Sequence, residues 1–196
     1  MKKIIFVVIG LSLFCGAALA KKTTYIYTDN RFNFVKIEEM SKKEADALAT
    51  NQPFTISEEQ VRAILKELKL ARSFIRNKET ETQDIFDESA INFLAPKLVD
   101  ALSKATYKDK IIFSYLTKDP KFILRNDRLT IVDAWVSDNK VYFNFEKLMA
   151  RLDGDYDKRG DYSKIVARAR GLRVSLEIRE GQAYGTSTDE VVVDLN

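Results

Sequence analysis

The chain contains no histidine, and its one cysteine, Cys15, lies close to the start. If the first 20 residues are removed as a leader, what remains has neither residue type. Ser-His-Asp and Cys-His catalysis, zinc held by His or Cys, and haem held by His are then excluded. Carboxylates, hydroxyls, Lys, Arg and Tyr are left for chemistry, and only oxygen ligands for metals. Without disulfides, stability in an oxidising compartment must rest on packing. Internal repeats and low-complexity segments are also missing, and no hydrophobic run after the leader approaches the length of a membrane span.

Excess charge is a further absence. The 32 Lys and Arg against 29 Asp and Glu give a formal charge of +3, but Lys2 and Lys3 belong to the leader. Without them 30 basic residues face 29 acidic ones, so the surface gives no reason to expect nucleic acid or a strongly anionic membrane as partner.

What is present begins with the leader. Lys2 and Lys3 precede 17 uncharged residues, Ile4 to Ala20, which run into Lys21 and Lys22. A positive start, an apolar stretch and a small-residue exit form a bacterial secretory signal peptide. Ala18 and Ala20 supply the A-x-A cleavage pattern, so the expected mature chain is residues 21 to 196, one domain in a periplasmic location. The alternative is a lipoprotein anchored through Cys15, but Phe14 and Ser12 stand where a lipidation signal needs a small and a leucine-like residue.

The stretch from Lys21 to Arg31 forms a loose arm or an edge strand, and FNFVKI (32–37) a first strand. Ser41 and Glu44 make a capping box for a short helix through Ala49. A second box, Ser57 with Gln60, opens a helix with Val61, Ile64, Leu65 and Leu68 on one face, stapled by Ile56. The polar run NKETETQD (77–84) is expected as a surface loop. Asp87 caps a helix carrying Ile91, Leu94, Leu98, Ala101 and Leu102, kinked or divided at Pro96.

From Asp109 the period changes to two. IIFSYL (111–116), RLTIVDAWV (128–136) and VYFNF (141–145) are expected strands, the last two joined by a Ser137–Lys140 turn, with a short helix to Leu152 after them. Tyr162 to Arg170 is expected as a helix stopped by Gly171. LRVSLEIR (172–179) and VVVDL (191–195) complete the strands. Helices early and hairpin-linked strands late predict an α+β domain: a mainly antiparallel sheet with helices packed on one face.

Few residues in this pattern point to chemistry. The alternating aspartates of DGDYD (153–157) resemble a calcium loop, yet Lys158 and Lys164 fall where an EF-hand needs Gly at position 6 and Glu at position 12. A solvated acidic turn is the better reading. Ser137-Asp-Asn-Lys140 spells two motifs of penicillin-binding enzymes, but one turn between strands does not supply both, and no K-T-G follows. Trp135 belongs to the core or a sheet face. Arg168, Arg170, Arg173 and Arg179 form a candidate surface for a partner or an anionic ligand such as a lipid phosphate. No catalytic, cofactor or metal residue is singled out.

TISEEQVRAILKEL (55–68), FDESAINFLAPKLVDALSKAT (86–106), DKIIFSY (109–115) and the hairpin around VSDNKVYFNF together resemble a set of uncharacterised bacterial exported proteins. The similarity spans residues 53 to 195. It implies an envelope location and one domain; some members are lipoproteins. It implies no ligand and no catalytic residue.

The expectation is therefore a non-catalytic periplasmic protein acting through contacts with another envelope protein. The first alternative binds a lipid or amphiphile in an apolar cleft between helices and sheet. The second is a carboxylate-dependent hydrolase of envelope glycan, which requires two acids about 5–9.5 Å apart in an open groove.

Overall fold

The computed structural model describes residues 21–73, 80–118, 127–152, 160–171 and 173–195. Cys15, Ala18 and Ala20 of the leader, and the aspartates at 153, 155 and 157, lie outside the described residues. The chain runs β1 (Thr23–Thr28), β2 (Phe34–Glu39), α1 (Lys42–Leu48), α2 (Glu58–Glu67), β3 (Lys69–Ser73), β4 (Thr80–Asp84), α3 (Glu88–Lys104), β5 (Asp109–Thr117), β6 (Arg128–Ser137), β7 (Lys140–Arg151), α4 (Tyr162–Arg168), β8 (Val174–Glu177), β9 (Gln182–Tyr184) and β10 (Glu190–Asp194). Among the described residues, seven strands form one sheet in the order β1-β2-β5-β6-β7-β10-β9, and three form a second in the order β4-β3-β8. Every strand pairing among the described residues is antiparallel. This is a single-domain α+β protein.

Local sequence signals explain most of the elements. The Ser57 hydroxyl accepts from the Gln60 amide at 3.2 Å, while the Gln60 side chain accepts from the Ser57 amide at 3.1 Å. Both donors at the start of α2 are thereby satisfied. Asp87 caps α3 through a 2.7 Å bond from the Ala90 amide. The 138–139 turn places both residues at positive φ, +50° and +57°, as a two-residue hairpin linking right-twisted strands requires. α3 continues through Pro96, its seven buried side chains pinning it on both sides of the missing amide.

The main core lies between the large sheet and the α2–α3 pair. Val35, Ile111, Phe113, Val132 and Val136 meet Leu65, Leu94, Leu98 and Ala101, each 3% exposed or less. The space left there is about 10 Å³, barely one water. The opposite sheet face carries a smaller cluster at one end. There Tyr162, Ile165 and Val166 of α4 pack on Phe32, Leu116, Leu129 and Ile131.

Four expectations are corrected. TETQD, expected as loop, is β4: it pairs with β3 in full register, Lys69 opposite Asp84 and Ser73 opposite Thr80, and a strand exposed on both faces carries no apolar alternation to betray it. The expected helix to Leu152 is instead the end of β7, which follows β6 to Arg128 through two irregularities. β6 supplies the backbone partners that override the helical spacing of Leu148, Met149 and Leu152. The 172–179 strand shortens to β8, because Arg173 takes a left-handed φ of +54° and Arg179 enters a turn closed on Gln182. α4 stops at Arg168, with Ala169 rather than Gly171 at its C-cap. Lys147 holds the Ala169 carbonyl at 3.2 Å and the Arg151 amide holds that of Arg170 at 2.9 Å, so the chain is drawn onto β7.

A candidate binding groove on the free sheet face

Alternation sends every second residue of the large sheet away from the α2–α3 core. Strand register then sets those residues in rows. One row runs Tyr25, Lys36, Ile112, Asp133, Asn144 and Glu190 across six strands. Beside it lie Phe34, Ser114, Ile131 and Lys147 on one side, and Glu38 opposite Lys110 on the other. All of these residues except Ser114, Asn144 and Glu190 line a groove of about 620 Å³, walled by Thr28, Asn30 and Arg31 on one flank and by Tyr162 and Val166 of α4 on another. The size suits a small ligand.

The groove is polar in an ordered way. Lys110 extends its ammonium to Asp133 at 2.7 Å and to Glu44 of α1 at 2.9 Å. The Lys110 and Asp133 side chains are only 14% and 7% exposed. Burial alone would pull the Lys110 ammonium down, but the two carboxylates outweigh it and hold its pKa above the ordinary lysine value. Burial pushes the Asp133 carboxyl up; Lys110 opposes this, and Glu146 and Glu38 reinforce it. Glu44 is pushed up by burial too, but Lys110 and Lys21 prevail and hold it below the usual range. Lys36 is paired with Glu38 at 2.7 Å.

The aromatic wall is equally built. Tyr162 packs against Phe32 and Phe34, with ring centres at 5.7 and 6.5 Å, and Tyr25 meets Phe34 edge-on at 6.0 Å. Burial, reinforced by Tyr25, raises the Tyr162 phenol to about 12. Arg31 is stacked 5.0 Å over Phe32, and its Nη1 donates to the Gly160 carbonyl at 3.0 Å. Its Nη2 is buried with no hydrogen-bond partner among the described residues.

The four arginines singled out in the sequence lie elsewhere. Arg168 and Arg170 stand at the C-terminal end of α4 beside β7, while Arg173 and Arg179 flank β8 of the small sheet. All four are exposed, Arg179 is paired with Glu177 at 2.9 Å, and none lines the groove. Trp135 is in the sheet, 5% exposed and stacked on Tyr142 at 5.2 Å. The groove charges escaped sequence reasoning, although one signal was visible: Asp133 interrupts the otherwise apolar run TIVDAWV of β6. Lys110 and Glu44 carry no such mark, since only the fold brings them to Asp133.

Three carboxylates, Glu38, Asp133 and Glu146, share the groove with lysines interleaved. Among the described residues no three acidic side chains converge closely enough to hold a metal ion, and no helix is long and apolar enough to cross a membrane. Fold and groove together define the class: an α+β protein with a concave, charge-patterned sheet face. No family model, curated protein or solved structure matches the chain.

Proposed function

We propose that this is an exported, non-catalytic binding protein of the bacterial envelope, and that the groove on the free sheet face takes a small ligand. The observation that carries the reading is the Lys110–Asp133 ion pair, its side chains 14% and 7% exposed, on the floor of a 620 Å³ groove, with Glu44 of α1 as the second partner of Lys110. Burying charge at the floor of a cleft is costly, and perturbed ionisable groups in a concave site are the usual mark of a working surface. The apolar cleft between helices and sheet, the other place for an amphiphile, has no room. The opposite face does.

The hydrolase alternative draws less support. It needs one acid held protonated beside one ionised, and Asp133, the raised acid, is held at 2.7 Å by an ammonium that favours its ionised form. Protein–protein contact is the second reading, favoured by the exposed edge strand β1. It bears Tyr25 and Tyr27 at 57% and 41% exposure and no charged or proline residue to discourage strand addition.

Native mass spectrometry of protein recovered from the envelope fraction tests the reading. A bound small-molecule mass that disappears in Ile112→Trp, which fills the groove, is the expected result. Protein with no bound mass, cross-linking through β1 to another envelope protein, would overturn it in favour of the second reading.

A further inference from the structure

The groove contains four cations and three carboxylates. Lys36 is neutralised by Glu38, and Lys110 by Asp133 and Glu44. Arg31 and Lys147 differ. Each is held by a backbone carbonyl, Gly160 for Arg31 and Ala169 for Lys147, and among the described residues neither is paired with a carboxylate. Those two carbonyls bracket α4, whose Tyr162 and Val166 line the groove together with Ile112 and Ile131. Positive charge therefore lies along the apolar flank, while the balancing negative charge, Glu146 and the second carboxylate on Lys110, gathers around Asp133.

Arg31 is the better placed of the two. Its guanidinium is fixed by the stack on Phe32 and by the Gly160 carbonyl, while Nη2 is buried and has no partner among the described residues. A charged donor left without an acceptor is costly, more so than a neutral one. A fixed guanidinium lining a groove is what planar oxyanion recognition uses; contact with Nη2 itself requires the side chain to turn that enclosed edge towards the head group.

We infer that the groove binds an amphiphilic anion, a carboxylate or phosphate monoester with an apolar tail, with the anionic head on Arg31 and the tail laid along the apolar patch of Tyr162, Val166, Ile112 and Ile131. This rests on the groove being the binding site and names the chemistry that it takes. Lys147 adds attraction for the head without needing to touch it. The self-paired lysines need not move, so a neutral analogue gains the apolar contacts and none of the charge.

The test is calorimetric titration of the purified protein with decanoate, decyl phosphate, decanol and inorganic phosphate, each below its aggregation threshold. Decanoate or decyl phosphate should bind at least about 10-fold more tightly than decanol, the loss expected for one charge-assisted hydrogen bond. Whichever of the two binds more tightly identifies the head group. Arg31→Gln should remove that preference and Arg31→Lys should restore part of it. Because Arg31 also holds Gly160, a readout on the unaltered protein is added. The Arg31 Nε–H resonance should shift on adding decanoate but not decanol. Equal binding of decanoate and decanol, a still resonance, or inorganic phosphate binding as tightly as decyl phosphate would overturn the inference. The groove reading itself survives those results if Ile112→Trp still removes a bound mass from cell-derived protein.

Discussion

Replacing Lys110 with methionine isolates the energetics of the groove floor. The change keeps the length and apolar stem of the side chain and deletes only the charge. Asp133, whose side chain is 7% exposed, then faces Glu38 and Glu146 with no cation in contact. Removing one partner of a buried pair costs about 3–5 kcal/mol. Lys110 is 14% exposed at the groove, so water can partly replace the ammonium and the low end, about 3 kcal/mol, applies. For a chain of this size that corresponds to a Tm lowered by roughly 6–12 °C. Urea denaturation at neutral pH measures it directly.

Two further measurements separate this account from a simple packing defect. In Lys110→Met the Asp133 pKa rises further. A carboxyl raised in the folded state stabilises below its unfolded pKa and loses that contribution as pH climbs through the folded value. The deficit should therefore shrink as pH is lowered from neutral towards the ordinary carboxyl range. Combining Lys110→Met with Asp133→Leu should return stability to within about 1 kcal/mol of the parent, because a matched apolar pair replaces a buried ion pair at little cost. A single variant as stable as the parent, or a double variant worse than the single, would refute the reasoning.

Other expectations are simpler. In an ultraviolet pH titration, Tyr162 should ionise near 12 and Tyr162→Phe should remove that step; being raised, the phenol stabilises below pH 10 and loses that contribution through its folded pKa. Leu94→Ala, at a fully buried α3 position, should cost about 2–5 kcal/mol in denaturant. Asp87→Ala, which frees the Ala90 amide, should cost about 1 kcal/mol. Gly185→Ala should disturb the β9–β10 connection, since a Cβ there lands on the Glu190 side chain whose carboxylate accepts from the Thr186 amide at 3.1 Å. Loss of that buried acceptor's bond is worth about 1–3 kcal/mol. Finally, intact mass of cell-derived protein should correspond to residues 21–196; a mass beginning at Cys15 with acyl chains would reverse the leader reading.

Elements whose information is local are legible in the chain's own residues. The capping box at Ser57, the Asp87 cap, the apolar face of α3 and the hairpin turn at Asp138 and Asn139 are written within a few residues of where they act. β4 is not, because a twice-exposed strand has no pattern of its own and exists only where β3 offers a ladder. The end of β7 misleads for the converse reason, a helical spacing overruled by pairing with β6. The arginines at 168, 170, 173 and 179 draw notice through proximity in sequence, yet they divide between the end of α4 and the small sheet.

The sequence by itself determined the fold class, because apolar periodicity and capping are short-range properties that add up along the chain. It also determined which catalytic side chains are absent after residue 20. The tertiary structure alone decided where a ligand could sit. Lys110, Asp133 and Glu44 come from β5, β6 and α1, and Arg31 meets Gly160 across 129 residues. No window of sequence contains those distances: sheet register and the placement of α4 create them, and register is set by which faces the core must bury.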